Sequence, residues 1–95
     1  MSPLQELITE LHKLERELAR FEARYGLLSE TFYTWYQSGQ EPEDPGWVQD
    51  FALWAGMYQL KLRRQEKYRR LVAEVLAQRN VPMLMRESLL VGAAA

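Results

Sequence analysis

His12 is the only histidine in the chain, and there is no cysteine. Together these remove thiolate nucleophiles, disulfides, cysteine metal sites and most histidine acid–base chemistry. Ser29, Ser38 and Ser88 have no histidine at a useful offset, and no glycine-rich phosphate loop occurs. Glu41, Glu43 and Asp44 cluster, but their spacing does not follow a Ca²⁺ loop and reads as a solvated turn. The dense charge run is residues 61–70, where Lys61, Arg63, Arg64, Lys67, Arg69 and Arg70 accompany one acid, Glu66. Interleaved with Tyr58 and Tyr68, such a run could grip a nucleic-acid backbone. The simpler account pairs part of it with an acidic helix of the same chain and leaves the rest solvated. No catalytic residue, cofactor or metal is expected, and the sequence reads as non-enzymatic.

Whatever these residues do, helices must position them. The chain has 95 residues, 47% of them hydrophobic and 26% charged, with a formal net charge of −1, which suits one small domain with no global field to gather nucleic acid. Nothing resembles a signal peptide, and no apolar run approaches the ~20 residues that cross a bilayer. A soluble, cytoplasmic protein is therefore expected.

Leu4, Leu7, Leu11, Leu14, Leu18, Phe21, Tyr25 and Leu28 recur at alternating spacings of three and four, the seam of a coiled coil. Ser2-Pro3 opens this helix and Gly26 closes it, predicting a helix over about 3–26, with His12 on its solvated back. Ser29 then caps a short helix over about 30–38 that carries Phe32, Tyr33, Trp35 and Tyr36. These four aromatics are best read as a plug closing the end of a helical hairpin; an exposed aromatic patch is the alternative. Residues 40–46 form an acidic, proline-containing loop. Asp44-Pro45 starts a long helix over about 45–79, ended by Asn80-Val81-Pro82.

The first helix does not suit parallel pairing with a copy of itself. Its flanking positions hold Glu10, Glu15, Glu17 and Glu22, which would oppose like charges across the seam. An antiparallel register with the long helix places Leu28 on Val48, Tyr25 on Phe51, Phe21 on Ala55, Leu18 on Tyr58, Leu14 on Leu62 and Leu4 on Val72. Gln65 and Arg69 interrupt this row, and Glu15, Glu10 and Glu6 come alongside the basic run. Leu53, Met57, Leu60, Leu71 and Val75 then fall on roughly the opposite side of the long helix, with Trp47 and Trp54 on the flank of the first stripe. The short aromatic helix cannot reach Leu71 and Val75, so a homodimer forming a four-helix-like bundle, or a partner protein, is expected there. Residues 80–95 form an apolar tail, a short helix or mobile, in which Met83, Leu84, Met85, Leu89 and Leu90, with Leu76 before them, are further candidate contacts. The fold class is thus all-α: an antiparallel helical hairpin in 1–79 with a short aromatic connecting helix.

From Tyr25 to Leu62 the order Tyr25, Gly26, Ser29, Glu30, Phe32, Tyr33, Gly39, Asp44, Trp54 and Tyr58 resembles small helical antitoxins of bacterial and archaeal two-gene toxin–antitoxin cassettes. Leu53 stands where such proteins usually carry an acid before the tryptophan. The resemblance implies a protein that neutralises a partner toxin by covering its active surface, and it supplies no catalytic residue. A structural homodimeric module without a toxin and a helical RNA-binding protein using 61–70 are the alternative readings.

Overall fold

Capping and periodicity set the first helix. The computed structural model describes residues 2–94; Ala95, the last residue of the expected tail, lies outside the described residues. Helix α1 spans Pro3–Tyr25 behind a reciprocal capping box, in which Ser2 Oγ accepts from the Gln5 N–H and Gln5 Oε1 accepts from the Ser2 N–H. Gly26 ends it at φ 75°, a left-handed conformation that a Cβ disfavours. Helix α2 spans Ser29–Gln37; a 3-10 turn at Pro45–Trp47 leads into α3, Val48–Leu76, and α4 spans Val81–Ala94. Among the described residues there is no strand, and no helix is long and apolar enough to cross a membrane.

Helices α1 and α3 lie antiparallel, and α2 covers one end of the pair. Tyr25 meets Phe51 as the expected register requires, with ring centroids 5.2 Å apart. Further along, side-chain partners fall one or two residues earlier on α3 than the expected ones: Phe21 stacks on Trp54, and Glu10 pairs with Arg64 at 2.9 Å. Trp54 causes the offset. Expected on the flank, it is fully buried and sits at the centre of the aromatic end. Its indole lies parallel to Phe32 at 3.8 Å on one side, with Phe21 and Tyr25 stacked at 5.7 Å. Such a sandwich withdraws more apolar area from water than any aliphatic pair in the chain could. Leu18, Phe51 and Ala55 complete the core around it.

Two expected seam pairs have members open to solvent. Leu28 is 61% exposed and Val48 is also exposed, because the turn at Gly26 carries Leu28 off α1 to the N-cap position of α2. Leu62, expected on Leu14, is 41% exposed. With α1 centred over Trp54, the residues that follow beneath it at helical spacing are Lys61, Gln65, Tyr68 and Val72, each half-buried. The hairpin is therefore densely apolar at one end and amphipathic along its length. Of the short-helix aromatics, Phe32 is buried, Tyr33 lies against Tyr58 and Tyr36 is half-buried, as a plug requires, whereas Trp35 stays exposed.

Ser29 does not cap α2. It occupies the first turn, and both its N–H and its Oγ–H donate to Glu22 Oε2 at 2.8 Å. Ser29 Oγ in turn accepts the Trp54 Nε1–H at 2.9 Å. The largest buried side chain thus has its only polar atom satisfied, and one carboxylate, one hydroxyl and one indole fix three helices together.

The C-terminal part takes the helical alternative expected for the tail, with different bounds. Helix α3 stops at Leu76, and residues 81–94 form a fourth helix. Asn80 starts it by accepting the Met83 N–H at 3.0 Å through its side chain. Arg79 pairs with Glu87, drawing α4 back beside the end of α3.

Candidate interaction surfaces

The hydroxyl–carboxylate pair of Ser29 and Glu22 is the nearest thing to a nucleophile with a base. Ser29 is buried and Glu22 half-buried, and the hydroxyl already donates to Glu22 and accepts from Trp54. The pair organises the fold. Among the described residues no group of three or more His, Asp or Glu side chains is arranged to hold a metal ion.

The apolar residues expected to bind a partner separate into two sets. Leu71 and Val75, assigned to a second copy, share a cleft of about 300 Å³ with Leu84 of α4 and with Leu4 and Pro3 of α1. Leu71 and Val75 are both half-buried, and the cleft between them and α4 is open. Met57 is half-buried against the aromatic core, and Leu60 is half-buried. Leu53 is exposed beside a cleft lined by Arg20, Phe21 and Arg24. The remaining candidates stay open to solvent: Leu76, Met83 and Met85, and above all Leu89 and Leu90, 72% and 71% exposed. A second cleft, about 360 Å³ in volume, runs between Ile8, Tyr68 and Val72 on the hairpin and Leu84, Met85 and Ser88 on α4. Helix α4 is therefore laid loosely on the hairpin, with its other side uncovered.

The basic run is partly engaged within the chain. Arg64 turns to Glu10 on α1, Arg69 and Arg70 both engage Glu66, and Lys61 is half-buried. Arg63 and Lys67 are exposed. Opposite-sign pairing between α1 and α3 also runs the other way, with Arg24 on Asp50 at 3.2 Å.

One surface takes up the exposed-patch alternative at Trp35 and adds residues outside the short helix that the sequence did not mark for it. At the aromatic end, an open cleft of about 490 Å³ is lined by Tyr25, Trp35, Trp47 and Phe51, with Glu41 and Glu43 along its edge. Tyr25 and Trp35 stand nearly perpendicular to Phe51, at 78° and 88°, and Trp47 stacks on Phe51 at 5.8 Å. The Tyr25 hydroxyl donates to Asp50, and that bond, with burial, raises its pKa above the ordinary value. Burial likewise raises the Tyr58 pKa, with Glu30 nearby adding to the shift. A sequence signal for this surface exists in the charge order. Residues 25–60 hold five acids and no Lys, Arg or His, whereas 61–95 hold eight Lys and Arg against three acids. A net charge of −1 conceals two opposed halves. Comparison of the chain with family models, with curated proteins and with solved structures finds no match to any of them.

Proposed function

We propose that the chain is a non-enzymatic protein-interaction module that captures a partner protein on the outer face of α4. The supporting observation is the exposure of Met83, Met85, Leu89 and Leu90 on a helix only loosely seated on its own hairpin. Left in water, each such side chain forgoes about 1.5–3 kcal/mol of burial free energy. Two methionines suit a surface that adapts to its partner. The antitoxin resemblance of residues 25–62 makes that partner a toxin, neutralised by steric cover. The test is co-expression with the product of the adjacent gene: a growth arrest relieved by the intact chain, and restored by Leu89→Ser with Leu90→Ser, is the expected outcome. No complex between the two purified proteins at micromolar concentration would refute the toxin assignment. Light scattering gives the second reading its chance, because a dimer lost with the same two substitutions would make α4 a homodimer contact.

A further inference from the structure

We propose that the aromatic cleft at the opposite end of the molecule binds the guanidinium or ammonium group of an Arg or Lys side chain presented by a basic partner protein. The cleft falls within the volume range of ligand sites and is open to solvent. Its walls are the rings of Tyr25, Trp35 and Trp47 around Phe51. Aromatic faces carry negative quadrupole potential, and indole is the strongest such acceptor among side chains. Trp35 and Trp47 remain about two-fifths exposed although they lie beside a core that could have covered them.

Charge selects among ligands. Glu41 and Glu43 edge the cleft, and among the described residues neither takes part in an ion pair. An anion would meet both carboxylates, and a neutral apolar group would leave them without a role. A cation is drawn by both the rings and the acids. Tyr25 already takes one: the Arg24 guanidinium lies over its ring at 5.6 Å, held by Asp50 at 3.2 Å. That guanidinium belongs to the neighbouring cleft of Glu17, Arg20 and Phe21 and not to this one. No Lys, Arg or His lies between Tyr25 and Leu60, and Arg24, the cation beside Tyr25, is already paired with Asp50.

A synthetic peptide rich in Arg and Lys, and the same peptide with every Arg and Lys replaced by Gln, separate this assignment from plain apolar binding. The full chain is titrated with each while the three indole N–H signals are followed by NMR. The basic peptide should shift Trp35 and Trp47 and leave buried Trp54 in place, and its affinity should fall as salt rises. Trp35→Ala should weaken binding about 2- to 30-fold. Glu41→Gln with Glu43→Gln, both on an exposed loop, should weaken it and flatten the salt dependence without altering the melting curve. Equal binding of the Gln peptide, or no indole shift at millimolar basic peptide, would overturn the proposal. So would self-association of the chain that the loop substitutions abolish, since the occupant would then be a second copy. Because α4 is untouched by these variants, failure here leaves the α4 reading standing, and the reverse also holds.

Discussion

The two ends of this molecule, which extends 51 Å along its longest axis, are built on different principles. At the aromatic end, three helices converge on Trp54, every face of its indole is covered by another ring or side chain, and its one N–H is bonded. At the other end, α4 rests beside Leu4, Leu71 and Val75 across open clefts, and two adjacent leucines face water. Stability is therefore concentrated where the aromatics are, and unspent apolar surface where α4 is. The hairpin seam alone does not distribute stability evenly. What stacks on the seam decides where the chain is firm and where it is free to meet another protein.

The sharpest way to break that contrast is Trp54→Ala. Truncating a fully buried aromatic of this size costs about 3–5 kcal/mol, a large part of the ~5–15 kcal/mol typical of a small domain. Urea unfolding of the variant should show a midpoint far below that of the parent, or no folded baseline. A loss under about 1 kcal/mol would mean that the aromatic end is not the stable one.

Ser29→Ala is the next largest. It leaves the Trp54 Nε1–H buried without an acceptor and removes one of the two donors held by Glu22, for a cost of about 1–3 kcal/mol. A double-mutant cycle isolates the cause. In a Trp54→Phe background there is no indole donor to strand, so Ser29→Ala should cost markedly less there. Equal costs in both backgrounds would show that the Ser29 contribution runs through Glu22 alone.

Alkaline pH probes the same end without mutation. Tyr25 donates to Asp50 and its pKa is raised, so the neutral form is favoured in the folded state. The sign follows: the contribution is fully present below the unfolded value of about 10 and is lost as pH rises through the folded value. Stability should fall on that alkaline side, and Tyr25→Phe should shrink the fall. Tyr58, raised by burial, keeps a residual step in the variant. An unchanged pH profile in Tyr25→Phe would remove the Tyr25–Asp50 bond from the account.

What the sequence disclosed follows the same division. The α1 seam, its caps and the antiparallel pairing are legible because they rest on spacing within one helix and on the sign of charges facing across two. The role of Ser29 is not, since its partners lie seven and 25 residues away and the hydroxyl is as good a cap as a core bond until the turn at Gly26 is placed. The register offset is invisible for a similar reason: periodicity shows that Trp54 lies near a stripe, and only the packing of α2 against α3 decides that it becomes the centre. Helix α4 was legible as the short-helix alternative for the tail, though not in its full length. Ser2-Pro3 and Asp44-Pro45 mark starts elsewhere, and Asn80 with Pro82 two residues on is a looser instance of that signal. The aromatic cleft needed segment charges in place of a whole-chain sum.

The smallest expected change in stability comes from Leu89→Ser with Leu90→Ser, and it tests the loose end directly. Side chains more than two-thirds exposed contribute little packing, so the pair should alter the unfolding free energy by no more than about 0.5 kcal/mol per site. Helix propensity is the one term left, and serine costs a few tenths of a kcal/mol relative to leucine. Urea unfolding at two protein concentrations a hundredfold apart separates the outcomes. If the parent gains stability with concentration and the variant does not, the two leucines are covered by a second copy and α4 is not free. If neither depends on concentration, α4 stands open in the isolated chain, and the contrast between a sealed end and an available one holds.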